Sequence, residues 1–393
     1  MKNSFKDRLT RPYLINKARP LARGFVIASA LLIAESSLPA RANPDSKIFG
    51  STHASFSPGM RVLTVRGDKS DNVISVGMDE AGTILINGGA VPIKGGMPTA
   101  ANTHVIRVYG SDGDDQLWAE EFNGPLPPLE LSGGEGDDLL VGGSSNDYLD
   151  GGPGNDTLAG QAGENTLLGG DDSDLFVFDH NKSSDLLEGG AGVDALIFNG
   201  LNVNEIGNIS SQDGRLAVVR NIGPLFIDAD DLEEVLFNAF GGADNIRIHD
   251  LTGSDVQTVT IDLSGEEAPG LGDQQPDRVI VEGSFEDEAI SVVSSSDSVS
   301  VLGFGATIEI LGSEAAHDQL VINALGGADV VNASGLQAGH LNLRVDGGED
   351  DDTLTGSAGD DVLIGGWGDD FLSGGPGLDT LDGGSGNNTI IQD

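Results

Sequence analysis

The sequence predicts an all-β protein, a right-handed parallel β-solenoid with irregular β-rich modules between its regular parts. Three observations support this fold. Segments of nine residues repeat in register in two separate tracts. The chain has 59 glycines, and aromatic residues make up only 5% of it. Outside the repeats, runs such as HVIRV and TVTIDL alternate as half-buried strands do, without a convincing helical period. A short repeated unit predicts stacked turns.

The nine-residue frames form the regular part of the predicted solenoid. Five frames run from Gly133 to Val177, a separate copy begins at Gly189, and five more run from Gly347 to Ile391. The eighth residue of each frame is Leu140, Leu149, Leu158, Leu167, Phe176, Leu196, Leu354, Leu363, Leu372, Leu381 or Ile390. Every one is large and apolar, which predicts that this position lines a narrow core.

Each frame divides into a glycine-rich turn of six residues and a strand of three. Glycine permits the positive backbone dihedrals that tight turns need. Two frames make one lap of the coil, and laps lie about 4.8 Å apart, the spacing of strands in a sheet. The acidic sixth residues therefore stack on one edge and repel each other unless a divalent cation lies between them. Calcium fits best because it accepts six to eight oxygen ligands at flexible geometry. Magnesium gives up its water reluctantly. A chain without cysteine and with scattered histidines has no soft-ligand set for zinc or copper.

The frames resemble the calcium-binding nonapeptide repeats of the RTX (haemolysin-type) family. That resemblance implies a parallel β-roll that binds Ca2+ between laps, through the sixth-position aspartates and turn carbonyls. The implied side-chain ligands are Asp138, Asp147, Asp156, Asp174, Asp194, Asp352, Asp361, Asp370 and Asp379. The implied carbonyl ligands are Gly133, Gly142, Gly151, Gly356, Gly365 and Gly374.

Some frames depart from the family pattern. Asn165 and Asn388 replace the sixth-position aspartate, so the pairs that they form with Asp147 and Asp370 are expected to bind calcium more weakly. Four pairs keep both carboxylates: 138/156, 156/174, 352/370 and 361/379. A metal-free solenoid is the alternative, and it leaves the stacked carboxylates without compensation.

The remaining sequence divides into a leader and three β-rich modules. Basic residues precede the apolar run GFVIASALLIA, and Ala40-Arg41-Ala42 supplies a cleavage site, as in a signal peptide. The predicted segments are a signal peptide (1–42), module 1 (43–132), repeat tract 1 (133–197), module 2 (198–276), module 3 (277–346) and repeat tract 2 (347–391). The modules could continue the solenoid or form separate sandwiches. Their direct passage into the tracts, without a proline-rich linker, favours continuation.

Composition and motifs narrow the function. A net charge of −43 disfavours nucleic acid and anionic lipid as partners. The chain has no HExxH or GxSxG motif and no cysteine nucleophile, so we expect no enzymatic activity.

We expect a secreted calcium-binding protein with a structural or interaction role and, once its leader is removed, without a membrane span. The periplasm or the cell surface are further destinations. The alternatives are an adhesin, matrix or haemolysin-like protein and, less favoured, an extracellular hydrolase with an unrecognised site. Partners besides calcium could be a cell-surface polysaccharide or a second copy, paired through the apolar strand TII at 389–391.

Overall fold

The computed structural model describes residues 51–178, 184–222, 225–265 and 272–392. The predicted signal peptide, residues 1–42, lies outside them. In chain order the first strands are β1 (His53–Ser57), β2 (Val62–Arg66), β3 (Val73–Met78), β4 (Ile84–Ile86), β5 (Ile93–Lys94), β6 (Val105–Asp112), β7 (Gln116–Glu120), β8 (Leu129–Glu135), β9 (Leu139–Val141), β10 (Tyr148–Pro153), β11 (Thr157–Ala159), β12 (Thr166–Asp171), β13 (Leu175–Phe178), β14 (Ser184–Ala191), β15 (Ala195–Asn199) and β16 (Ile206–Gln212). The others are β17 (Arg215–Arg220), β18 (Leu225–Asp230), β19 (Glu234–Asn238), β20 (Asn245–Ile248), β21 (Thr258–Asp262), β22 (Arg278–Glu282), β23 (Ala289–Ser294), β24 (Ser298–Phe304), β25 (Ala306–Leu311), β26 (Gln319–Gly326), β27 (Val330–Gly335), β28 (Asn342–Glu349), β29 (Thr353–Thr355), β30 (Val362–Trp367), β31 (Phe371–Ser373), β32 (Thr380–Ser385) and β33 (Thr389–Ile391). A single 3-10 turn, Asn87–Gly89, follows β4 within the described residues.

The strands of the described residues form two sheets, one of 17 strands and one of 16. In the tracts the chain passes from one sheet to the other after every frame, and each strand pairs in parallel with the strand one lap on. The spacing is 18 residues between consecutive frames of a tract and 20 residues where β12 and β13 pair with β14 and β15. Leu149 of β10, for example, is in register with Leu167 of β12, and Leu140 of β9 with Leu158 of β11. The predicted lap of two frames is therefore confirmed.

The modules share these two sheets with the tracts. Strand β6 of module 1 pairs in parallel with β8, and β26 of module 3 pairs with β28. Strands β14 and β15 of tract 1 pair with β18 and β19 of module 2. The parallel ladders therefore run through the predicted boundaries without interruption.

Modules 2 and 3 each contain a three-stranded antiparallel segment that lengthens one of the sheets. Strand β17 lies between β16 and β18 in the 17-stranded sheet, and β24 lies between β23 and β25 in the 16-stranded sheet. In each segment the chain advances by two extra strand positions and then returns before it resumes the lap. The 17-stranded sheet thus gains two strands in module 2, and the 16-stranded sheet gains two in module 3.

The core is one continuous row of apolar side chains between the sheets. The eighth-position residues are fully buried in both tracts up to Leu372. The last two differ, since Leu381 is only partly buried and Ile390 is 48% exposed. No further lap covers them within the described residues, so the predicted core position is confirmed everywhere except at this end.

Candidate metal centre

The turns lie on two opposite edges of the solenoid. The first edge is the row of turns that lead from the 17-stranded sheet to the 16-stranded sheet, such as the turn between β8 and β9. The second edge holds the returning turns, such as the one between β9 and β10. Successive nine-residue frames alternate between the edges, so frames that share an edge are one lap apart.

On the first edge of tract 1, the sixth-position aspartates form a ladder. The backbone N–H of Asp138 donates to Oδ1 of Asp156 at 2.7 Å, and that of Asp156 donates to Oδ1 of Asp174 at 2.8 Å. The N–H of Asp174 donates in turn to Oδ1 of Asp194 at 2.7 Å. All four aspartates are buried, and none of their Oδ2 atoms has a hydrogen-bond partner. Each lap therefore presents one buried carboxylate oxygen without a partner.

These Oδ2 atoms lie against the first glycine of their own frame. A methyl group added to Gly151 would overlap Oδ2 of Asp156, and it would lie 2.7 Å from the carbonyl oxygen of Gly169 in the next lap. A carboxylate oxygen and a carbonyl oxygen thus converge where only glycine leaves space. Carboxylate and carbonyl oxygens are the donors that calcium prefers, and the carboxylate oxygen here is buried without a partner. The residues present therefore fit the ion.

Tract 2 repeats this arrangement on its first edge. The N–H of Asp352 donates to Oδ1 of Asp370 at 3.0 Å, and that of Asp370 donates to Oδ1 of Asn388 at 2.8 Å. The Oδ2 atoms of Asp352 and Asp370 are buried without a partner. A methyl group on Gly347 would overlap Oδ2 of Asp352 and would lie 2.7 Å from the carbonyl oxygen of Gly365.

The second edge is built differently. Oδ2 of Asp147 accepts the N–H of Gly143 at 2.6 Å, and Oδ2 of Asp361 accepts the N–H of Ser357 at 2.5 Å. Oδ2 of Asp379 accepts from the Gln392 amide at 3.0 Å. These three predicted ligands already have partners within the protein, whereas the Oδ2 atoms of the predicted ligands on the first edge have none.

The six glycines predicted as carbonyl ligands share one arrangement. At each of them, the sixth-position carboxylate of the same frame lies where a side chain would begin. The carbonyl oxygens of Gly133, Gly365 and Gly374 also lie beside the first glycine of the preceding lap, next to its sixth-position carboxylate.

Burial and mutual repulsion disfavour the charged state of the ladder. Burial raises the pKa of Asp138 and Asp174 to about 8, with a further contribution from the charge of Asp156. Burial likewise raises the pKa of Asp156 to about 7, with Asp137 and Asp150 adding to it. The ladder thus lacks positive charge, and a cation between the laps would supply it.

A second ladder, on the fifth residue of each turn, binds the laps in the opposite direction. The N–H of Asn155 donates back to Oδ1 of Asp137 at 2.8 Å, and the N–H of Asp369 donates back to Oδ1 of Asp351 at 2.7 Å. These side chains are exposed, whereas the sixth-position ladder is buried. Each lap is therefore hydrogen-bonded to the laps before and after it.

The structure extends the sixth-position ladder beyond the predicted ligands. The N–H of Asp115 donates to Oδ1 of Asp138 at 2.7 Å, and the N–H of Asp329 donates to Oδ1 of Asp352 at 2.9 Å. On the second edge, Asp185 Oδ1 accepts the N–H of Asn165 at 2.7 Å. Asp115, Asp185 and Asp329 are buried, and Asp115 and Asp329 each have an Oδ2 without a partner. The segments YGSDGDD and LGGAD, which precede tract 1 and tract 2, end in Asp115 and Asp329. They are the signal that could have revealed these two aspartates.

One group of acidic side chains outside the ladders also converges. Among the described residues, Asp230, Asp231 and Asp255 bring carboxylate oxygens within 4.8 Å of one another. Asp230 also receives the guanidinium of Arg215 at 2.7 Å. Because part of its charge is already neutralised by arginine, this cluster is a weaker cation site than the ladders.

Comparison with known proteins agrees with this geometry. The family described as RTX calcium-binding nonapeptide repeat (4 copies) matches residues 107–124, 130–158, 150–179, 346–381 and 373–391. A search of curated proteins gave no match. The matched segments contain the first-edge ladders of both tracts except Asp194, and they also contain Asp115. The chain is therefore a protein with RTX calcium-binding nonapeptide repeats, which lie in both tracts and just before the first.

Proposed function

We propose that the chain is an exported, non-catalytic protein whose repeat tracts fold on binding calcium outside the cytoplasm. The observation that carries this proposal is the first-edge ladder, in which consecutive laps each bury a carboxylate with one unpartnered oxygen. A protein that kept these laps stacked without a cation would leave every one of those oxygens unsatisfied.

The two carboxylate oxygens of each sixth-position aspartate would have different roles. Oδ1 of each sixth-position aspartate accepts the N–H of the preceding lap and sets the lap spacing, as Asp156 does for Asp138. Oδ2, together with a glycine carbonyl of the next lap, would hold the ion. Bound calcium supplies the positive charge that lets these carboxylates stack in their ionised form. Without it, like charges would keep the laps apart, so binding and folding are coupled.

Export follows from the leader and from the calcium demand together. Residues 1–42 have the charge and hydropathy pattern of a signal peptide. Extracellular calcium modules bind at roughly 0.1–1 mM, well above cytosolic calcium, so tracts of this kind would stay open until export. Detection of a chain shortened by its leader in the extracellular or periplasmic fraction tests this part of the proposal.

A structural or interaction role agrees with a molecule made of one continuous coil. Among the described residues, no helix is long and apolar enough to cross a membrane. Self-association is the second candidate role, because β33 carries Ile390 and Ile391 at 48% and 40% exposure. Sedimentation at several calcium concentrations tests this role, and a monomer throughout would remove it. Turnover on a panel of polysaccharides or lipids would show instead that the chain is an enzyme.

The main test is far-UV circular dichroism of the chain in EDTA, in magnesium and in calcium. We expect strand content to rise with calcium, and magnesium to be a poor substitute because it requires strict octahedral geometry. Identical spectra in EDTA and calcium would overturn the proposal.

A further inference from the structure

Each module contains a turn of the same kind that lies outside the matched repeats. These turns run from Gly67 to Asn72, from Gly200 to Glu205 and from Gly283 to Glu288. In each, the backbone N–H of the last residue donates to Oδ1 of an aspartate in the next lap. The distances are 2.6 Å from Asn72 to Asp115, 2.7 Å from Glu205 to Asp244 and 2.7 Å from Glu288 to Asp329. All three turns therefore use the lap-to-lap ladder of the repeat tracts.

The three turns also form the same cradle. A methyl group on Gly67 would lie 2.5 Å from Oδ1 of Asn72 and 2.5 Å from the Gly110 carbonyl. On Gly200 it would lie 2.5 Å from Oε2 of Glu205 and 3.0 Å from the Ala239 carbonyl. On Gly283 it would lie 2.6 Å from Oε2 of Glu288 and 2.7 Å from the Ala324 carbonyl. An oxygen of the sixth residue thus meets a carbonyl of the next lap in every module.

The cradles differ in how their charge is compensated. In module 1 the side chain is the neutral amide of Asn72. In module 2 the guanidinium of Arg220 supplies the positive charge that a metal ion would otherwise supply. Its Nε lies 3.6 Å from Oε1 of Glu205, and both side chains are buried. Oε2 of Glu205 also accepts the N–H of Leu201 at 2.7 Å. Neither of these two cradles requires a metal ion.

Module 3 is the exception. Oε1 of Glu288 accepts both the N–H and the hydroxyl of Ser284, but Oε2 is buried without a partner. Asp329, in the next lap, is 1% exposed, and its Oδ2 is also without a partner. The Glu288 N–H bond to Asp329 Oδ1 holds the two carboxylates side by side. Two acidic groups thus share a buried space with no basic side chain among their described hydrogen-bond and ion-pair partners.

We propose that Glu288, Asp329 and the carbonyl of Ala324 form a further divalent-cation site in module 3. All three donors are oxygens, which selects a hard ion, and calcium suits their flexible, irregular placement better than magnesium. The site lies one lap before Asp352, to whose Oδ1 the Asp329 N–H donates at 2.9 Å. It therefore continues the first-edge ladder of tract 2 into the module and would fix the tract's first lap.

Native mass spectrometry of the calcium-saturated full chain counts the bound ions directly. Glu288→Gln removes the charge at constant shape, and Glu288→Asn copies the neutral residue with which module 1 already folds. We expect both variants to carry one calcium fewer than the wild type. Asp287→Asn is the control, because Oδ1 of Asp287 accepts the Ala328 N–H at 2.8 Å and an asparagine keeps that oxygen. It should keep the wild-type number.

Hydrogen exchange then locates the loss. Peptides covering 283–291 and 324–332 should gain protection with calcium in the wild type and lose that gain in both Glu288 variants. Peptides covering 133–177 should stay protected, which shows that the variants fold. Equal ion counts in wild type and Glu288→Gln, with calcium still bound in the tracts, would overturn this site alone. Absence of bound calcium in every protein would overturn both this site and the proposed function.

Discussion

Replacement of Asp156 by asparagine should weaken calcium-dependent folding more than the same change at Asp147. Asparagine keeps the Oδ1 that accepts the Asp138 N–H at 2.7 Å, so the lap spacing survives. It replaces Oδ2, which lies beside Gly151 and the Gly169 carbonyl, with an amide nitrogen. The change therefore removes a charge and an oxygen ligand while leaving the fold of the turn intact.

The expected size follows from the position of Asp156 between two laps. Changes in groups that only support a metal ligand cost about 10–100-fold in affinity, so loss of a direct ligand costs at least about tenfold, or ~1.4 kcal/mol. Because Asp156 faces a carboxylate on both sides, two sites are affected and the total is roughly 3 kcal/mol. Asp147 differs, since its Oδ2 already accepts the Gly143 N–H and its neighbour one lap on is Asn165. Its loss should cost about one hydrogen bond, ~1 kcal/mol.

The assay is a calcium titration of both variants and the wild type, monitored by far-UV circular dichroism at one pH and ionic strength. The midpoint of Asp156→Asn should lie far above that of Asp147→Asn, which should stay close to the wild type. Equal shifts in the two variants would refute the reasoning that the first edge holds the calcium.

Three further predictions follow from other features. In EDTA the fold should be most stable near pH 4 and lose stability towards pH 8. Burial raises the pKa of Asp138 to about 8, whereas an unfolded aspartate titrates near ~3.9, so ionisation at rising pH favours the unfolded chain. A Tm in EDTA that does not fall between pH 5 and pH 8 would contradict this. Gly154→Ala should destabilise the calcium-bound chain by about 1–3 kcal/mol, since Gly154 has a φ of +138° and a methyl group there would overlap a carbonyl of the preceding lap. Gly359→Ala is its control, with no neighbour closer than 3.5 Å, and similar denaturation midpoints for the two would count against the strained turn. Arg220→Met should cost about 3–5 kcal/mol in chemical denaturation because it leaves the buried Glu205 carboxylate without its cation, and Glu205→Gln in the same chain should restore much of that loss.

The lap geometry of the tracts was predictable from the sequence. A fixed period of nine, with a large apolar residue at its eighth position, dictates which side chains face the core, and Leu140 through Leu372 are buried as expected. The position of the stacked aspartates follows from the same period. These features are local and repeat without change, so neighbouring laps reinforce them.

The difference between the two edges was not predictable from the period. All frames share one pattern, yet Oδ2 of Asp156 has no partner while Oδ2 of Asp147 accepts a backbone N–H. The cause is the strand length, since β10 and β12 extend through the glycines of the first edge, whereas β9 and β11 end before those of the second. That asymmetry arises from the pairing of whole sheets and is invisible in a single frame.

The module turns escaped prediction for another reason. Hairpins and insertions separate Glu205 from Asp244 by 39 residues and Glu288 from Asp329 by 41, so no fixed period connects them. The sequence predicted the carboxylate pairs 138/156 and 156/174 in tract 1. The structure adds a carboxylate at each end of this row, because Asp115 extends the ladder before Asp138 and Asp194 extends it after Asp174.

Hydrogen exchange at the amides of Asp138, Asp156 and Asp174 tests the central claim most directly. Each of the three amides donates to the sixth-position carboxylate of the next lap, so its protection reports whether the laps are stacked. We predict strong protection in millimolar calcium and fast exchange in EDTA, with a midpoint that follows the calcium titration of the strand signal. Equal protection of these amides with and without calcium would contradict the claim that calcium closes the laps.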